Sequence, residues 1–366
     1  MAPHKEDRMN HIKDILVVYD SKTDNRTLIE KAVRLGQRNQ ARVNVVNVVE
    51  EAPRKMVKPI RPEPVDSQGP GIDIIEEFPR DTSMPVRLGP PADAHQHKTE
   101  TAEKLSLDIQ EHMIQARKPN LDEFVTGIRQ AGVQVSSKTL YGTPFLEIIR
   151  EVLRNRHDLA MITAEGGSSL KQMLFGSTTM HLMRKCPCPV WVIRPGQAKQ
   201  HGPILAAVNP TPEDIEPKAL NSRIMDLAIL LGRLEQSQLI IIHTWRMHGE
   251  SVLRSRRSML HEEEVDELVR ETRGVHRQAL TELLRRHPLE ELNYQVYMIK
   301  GEAGTLIPEL ARKKEVELII MGTLSRSGIA GLLIGNTAEK VLQQVDCSVL
   351  TVKPEGFVSP ISQEPA

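Results

Sequence analysis

The sequence predicts an α/β protein of two tandem units, each an open parallel sheet with helices on both faces. Three observations carry this. Short, continuous aliphatic runs recur at strand length, and amphipathic stretches at helical spacing lie between them. Strands that are apolar along their whole length belong in a sheet covered on both faces, which is the setting of parallel strands. The pattern also repeats. Ile15-Leu16-Val17-Val18-Tyr19-Asp20 aligns with Ile204-Leu205-Ala206-Ala207-Val208-Asn209 at an offset of 189 residues. Later segments align at an offset of 159: Asp158 to Thr163 over Glu317 to Gly322, Gly142 over Gly301, and Gly176 over Gly335. The first unit therefore carries about 30 extra residues. The units are read as residues 1–197 and 198–357, with a tail at 358–366.

Each unit runs in the same order. A first strand (Ile15–Tyr19; Ile204–Val208) leads into a helix with Leu28, Ala32 and Leu35, or Ile224, Leu227, Ala228 and Leu231, on one face. A second strand follows (Val43–Val49; Leu239–Thr244), then a long amphipathic helix (Thr99–Gln115; Glu262–Leu284). The third strand (Val133–Leu140; Tyr294–Ile299) and a short helix lead to the fourth (Leu159–Ile162; Leu318–Met321). A Gly-rich loop, a helix and a last strand (Val190–Ile193; Val349–Val352) close each unit. The extra residues fall at Pro53 to His97, which hold nine of the 24 prolines. Proline breaks both helical and strand periodicity, so this stretch reads as a mobile, irregular insert. The last strands would lie at sheet edges, where unpaired backbone groups favour pairing with each other or with another chain.

Composition narrows the function. Hydrophobic residues at 39% and charged residues at 26% are those of a globular chain able to build a core. Forty-eight basic residues balance 48 acidic ones, which argues against nucleic acid or an anionic membrane as a bulk-charge partner. No apolar run reaches the ~18–20 residues of a membrane span, and Met1 to Lys13 is polar, so a cytoplasmic setting is expected. Three cysteines give no disulfide framework.

Ligands of open parallel sheets bind beyond the carboxyl ends of the strands, where strand order reverses. The loop after the fourth strand is therefore the segment of interest. It reads Thr163-Ala-Glu-Gly166, nine residues, then Gly176-Ser177-Thr178; in the second unit, Gly322-Thr-Leu-Ser325, nine residues, then Gly335-Asn336-Thr337. Glycine permits close backbone approach to an anion, and the helix start that follows offers open N–H groups at the positive end of the dipole. The hydroxyl of Ser177 or Thr178 would add a donor. The alternative is ordinary helix capping, since Asn336-Thr-Ala-Glu339 is close to a capping box.

Ile15 to Asp20, the run Gly166-x9-Gly176-Ser177-Thr178, and Cys188-Pro-Val-Trp-Val-Ile-Arg-Pro195 together resemble the universal stress proteins. Met321-Gly-Thr and Gly335-Asn-Thr-Ala-Glu-Lys-Val in the second half resemble the same domain, so the whole is similar to the tandem, UspE-type members. The resemblance implies a five-stranded adenine-nucleotide-hydrolase-like, Rossmann-like sheet in each half, and a role in stress tolerance. It also implies an ATP motif, Gly-x2-Gly-x9-Gly-Ser/Thr, with an Asp at the end of the first strand. The first copy keeps Asp20, Gly166, Gly176 and Ser177 but has Thr163 at the first Gly. The second keeps Gly322 and Gly335 but has Ser325, Asn336 and Asn209 at the other positions. Asp20 would meet the ribose or base, and Gly166, Gly176, Ser177 and Thr178 would cradle phosphates. Gly322, Ser325, Gly335, Asn336 and Thr337 are their counterparts.

Other constellations point to structure rather than chemistry. Cys186-Pro-Cys188 lacks the paired spacing of a zinc site and reads as two thiols at a strand entrance, one of them buried. His95-Gln-His97 has no completing ligands nearby, His243 reads as a core or pocket-edge residue, and Arg254-Ser-Arg256-Arg257 as a solvated face. No catalytic acid–base pair and no metal site is assigned. The reading is a ligand-sensing regulatory module with no required cofactor, which takes ATP or another small phosphorylated ligand. Self-association would use the last strands. The rivals are a slow ATPase or nucleotide hydrolase, and an interaction protein with vestigial pockets.

Overall fold

The two repeats share one sheet. In the computed structural model, which describes residues 12–50, 121–165, 175–196, 201–210, 220–255, 260–323 and 334–362, the first repeat contains β1 (Asp14–Tyr19), α1 (Arg26–Asn39), β2 (Arg42–Val49), a helical segment at 121–130 (α2), β3 (Val135–Tyr141), α3 (Pro144–Asn155), β4 (Leu159–Thr163), α4 (Ser177–Lys185) and β5 (Val190–Ile193). The second contains β6 (Ile204–Val208), α5 (Leu220–Glu235), β7 (Leu239–Trp245), α6 (Glu250–Leu253), α7 (Glu262–Arg285), β8 (Tyr294–Lys300), α8 (Ala303–Lys313), β9 (Leu318–Gly322), α9 (Asn336–Leu342) and β10 (Ser348–Val352). Every strand expected from the sequence is present. The insert at 53–97, its His95 and His97, and the helix expected at 99–115 lie outside the described residues.

Strand order is β3-β2-β1-β4-β5-β10-β9-β6-β7-β8. All neighbours run parallel except β5 and β10, which pair antiparallel through Val192–Val349, Trp191–Leu350 and Val190–Thr351. The two five-stranded sheets thus meet edge to edge, and each last strand satisfies the other's backbone within one chain. Reversing the order of the second half reproduces the first. An antiparallel join of like edges places a pseudo-twofold axis perpendicular to the sheet, so each face continues across the join.

The core confirms that geometry. Side chains alternate along a strand. Ile15, Val17 and Tyr19 of β1 join Ile204, Ala206 and Val208 of β6 in one layer, under Leu28 of α1, Ile128 of α2, Ala228 of α5 and Leu280 of α7. Leu16, Val18 and Leu205 face the other way, under Ile148 of α3, Leu182 of α4, Ile307 of α8 and Val341 of α9. The duplicated glycines Gly142 and Gly301 turn β3 and β8 into the following helices. Their φ values of +130° and +147° lie in a region that L side chains rarely adopt. Each also donates its N–H across the sheet at 3.0 Å, to Val49 O and Trp245 O respectively.

Candidate functional site

In each repeat the chain steps outward from its first strand to its second and third, then crosses back to the fourth. The crevice beyond the carboxyl ends of β1 and β4 is therefore the switch point of the first repeat, and that beyond β6 and β9 the switch point of the second.

Asp20 follows β1 directly. Its Oδ1 accepts the Lys22 N–H at 2.9 Å, and its carbonyl accepts from Asn25 Nδ2 at 2.7 Å and Thr23 Oγ1 at 3.1 Å. Thr163, at the motif's first glycine position, is buried, and its hydroxyl donates to Asn25 Oδ1 at 3.3 Å. Asn25 thus ties the end of β1, the start of α1 and the end of β4 together. The sequence pattern did not single it out, because nothing local marks a residue whose partners lie on three elements.

Gly176 and Gly335 are the caps that precede α4 and α9, so Ser177 and Asn336 are first helical residues. Neither helix has a side-chain hydrogen bond at its cap. The capping box expected at Asn336–Glu339 is therefore not formed. Its first residue lies one position inside the helix, where its side chain no longer faces the open N–H groups.

What meets Gly176 is Glu165. A Cβ placed on Gly176 would lie 1.8–1.9 Å from the Glu165 carboxyl atoms. A carboxylate thus sits against the α4 start, where the dipole favours negative charge. In the second repeat, a Cβ on Gly322 would lie 2.4 Å from Leu220 Cδ2. Gly322 allows close approach as the motif requires, but the approaching group is an apolar side chain from the first residue of α5. Gly335 donates its N–H to Thr323 O at 2.8 Å, and Asn209 N–H donates to Asn221 Oδ1 at 2.8 Å. Ser177 is exposed and Thr178 half-buried in the first turn of α4, and Thr337 holds the place of Thr178 in α9. Gly166 and Ser325 lie outside the described residues.

The other sequence candidates are structural. Cys186 and Cys188 are both buried rather than one alone, with Sγ atoms 3.5 Å apart. The hydrogen bond shared with Cys186, and then burial, push the Cys188 thiol well above its ordinary value; burial pushes Cys347 up to about 12. Thiols held protonated are poor nucleophiles and poor metal ligands. No group of three or more His, Cys, Asp or Glu among the described residues is placed to hold a metal. Arg254 is held by Glu250 at 3.1 Å and Asp266 at 2.6 Å; Arg256 and Arg257 lie outside the described residues. His243 is fully buried, and its Nε2 lies 2.9 Å from His276 Nδ1. No helix among the described residues is long and apolar enough to cross a membrane.

Comparison with known proteins places this geometry. The model of the Universal stress protein family matches residues 11–194 and again 204–353. Universal stress protein E of Escherichia coli K12 is 31% identical over 234 residues, 63% of this chain and 72% of that protein. A homologue in Haemophilus influenzae is 25% identical over 249 residues, covering 68% and 79% of the two chains. Among solved structures, a putative universal stress protein from Pseudomonas aeruginosa UCBPP-PA14 superposes with a TM-score of 0.64 at 20% identity, covering 95% of this chain and 96% of that one. One from Archaeoglobus fulgidus gives 0.55 at 16% identity, covering 93% and 98%.

Proposed function

The chain belongs to the universal stress protein family, built in tandem like universal stress protein E, and from that premise we propose that it is a cytoplasmic stress-response regulatory module whose first repeat binds a small phosphorylated ligand. ATP is the first such ligand to test. The observation that carries this reading is the α4 start: an uncapped helix N-terminus beside Gly176, facing the crevice between β1 and β4, with an anionic group, Glu165, already against it. Phosphate would displace Glu165, with Gly176, Ser177 and Thr178 as the cradle and Asp20 receiving the sugar or base. Displacing an internal carboxylate couples occupancy to the conformation of the segment after β4, which is the output expected of a sensor.

The second repeat favours the rival reading for its own crevice, because Leu220 fills the approach to Gly322. Its part is then to complete the ten-stranded sheet. The test is calorimetric titration of ATP into the wild type, Gly176→Val, Gly335→Val and Glu165→Gln, with circular dichroism to confirm folding. Gly176→Val abolishes binding and Gly335→Val leaves it nearly unchanged. Glu165→Gln tightens it on the order of threefold, the scale of an exposed charge–charge interaction. Equal losses in both valine variants, or no ATP binding by the wild type, would reject the reading.

A further inference from the structure

The pseudo-twofold axis creates two equivalent joints between the repeats on the α1/α5 face, and the chain treats them differently. Gln40 and Gln236 end α1 and α5 in the same left-handed conformation, so Lys31 and Arg34 of α1 correspond to Leu227 and Leu230 of α5. At the first joint, Lys31 and Arg34 close on Glu235 at 3.1 and 2.9 Å. At the second, Leu227 and Leu230 line a cleft of about 440 Å³ at the amino ends of β1, β4 and β5, on the opposite rim from the first repeat's crevice. That volume lies within the ~300–1,000 Å³ of small-molecule sites.

The cleft has apolar walls, including Ile12, Val152, Leu153 and Pro187. His157 also lines it, where the second repeat has Val316. The histidine is 95% buried, being 5% exposed, and neither ring nitrogen has a hydrogen-bond partner among the described residues. A buried imidazole left this way loses its hydration with nothing in return, a cost that a valine in its place would not carry. The polar side chains of the cleft divide by sign. Asp158 is committed to the backbone N–H groups of Lys13 and Asp14 at 2.8 and 2.9 Å, and Asp226 faces His287 at 3.5 Å. Arg156 forms no ion pair among the described residues, and Arg223 donates only to a carbonyl, Lys353 O, at 2.7 Å. The acids are answered and the guanidiniums are not.

We infer that this cleft is a second binding site, for a small hydrophobic monocarboxylate whose tail lies along Leu227 and Leu230 and whose head meets His157 and a guanidinium. A neutral imidazole donates one N–H to a carboxylate oxygen, and a guanidinium can add a bidentate pair. The site is independent of the phosphate reading, since it shares no residue with the crevice of either repeat.

Octanoate, an unbranched aliphatic acid suited to walls without aromatic rings, is the probe. Calorimetry on the full chain gives saturable 1:1 binding. Arg156→Gln, a change at an exposed side chain that leaves the fold intact, and His157→Phe each weaken it about tenfold or more, while Lys313→Gln leaves it unchanged. Hydrogen–deuterium exchange slows on octanoate addition at residues 153–158 and 223–230. Octan-1-ol binding as tightly as octanoate would overturn the anionic head. No saturable binding, or exchange protection elsewhere only, would overturn the site.

Discussion

His243 shows how one residue's partners set its charge. Val208 O can only accept, so the 3.3 Å contact makes His243 Nδ1 the donor. Its Nε2 must then accept from His276 Nδ1 at 2.9 Å. A second proton would have to sit on Nε2, against a donor and away from water. Burial, then the His276 neighbour, accordingly lower its value to about 4, against an opposing hydrogen bond to Val208 O. The unfolded chain binds this proton near pH 6.5 and the folded chain only near 4. Stability from His243 is therefore full above about pH 6.5 and is lost as pH falls towards 4. The loss is on the order of 2–3 kcal/mol by pH 4.5, at ~1.4 kcal/mol per unit. Urea unfolding at pH 7 and pH 4.5 checks it: His243→Leu shows a smaller drop than the wild type. Equal drops in the two proteins would count against this account.

At the scale of elements, the strands were legible because their signal is local. A buried parallel strand must be apolar on both faces, and β5 and β6 occur at the very residues the aliphatic runs marked. The site was legible only in part. Glycine and a helix start can be read from spacing, so the positions of Gly176 and Ser177 followed. That Glu165 lies on Gly176, Leu220 on Gly322 and Thr163 on Asn25 depends on which elements the topology brings together, and no local pattern carries it. The antiparallel meeting of β5 and β10 was foreseen only as one of two ways to cover an edge.

Helix α1 offers a test of local preference against packing. Gly36 lies inside it, where alanine would gain up to ~1 kcal/mol of helix propensity. Yet a Cβ there would lie 2.6 Å from Val133 Cγ1, and valine has a stiff χ1. Overpacking costs ~1–3 kcal/mol, so packing wins. Gly36→Ala destabilises by about 1 kcal/mol, and adding Val133→Ala removes the coupling between the two sites, as a double-mutant cycle in urea would show. A stabilised single variant would mean that α1 shifts freely on the sheet.

For the whole molecule, the join between repeats decides whether the chain unfolds in one step or two. Three kinds of contact cross it. The β5–β10 ladder runs through the sheet. On the α4 face, Lys353 donates to Met183 O at 2.5 Å and to Thr323 Oγ1. Burial lowers this lysine to about 8, opposed by the Cys186 thiol. On the α1 face, Glu235 holds Lys31 and Arg34, with the Lys31 and Glu235 side chains only 8% and 5% exposed. Removing one member of a buried pair leaves the other charge without an answer, at about 3–5 kcal/mol, whereas replacing both by apolar groups is often near neutral. Glu235→Gln therefore lowers stability by about 3 kcal/mol, Arg34 being partly solvated and able to relax. Lys31→Met with Glu235→Leu restores most of it, since the paired replacement removes both buried charges together. Both repeats contribute to both core layers, so wild-type thermal unfolding is a single transition by calorimetry. Glu235→Gln shifts that transition down without splitting it. A second transition, or a double variant no more stable than the single one, would show that the repeats fold as separate units and that the ion pair contributes no coupling between them.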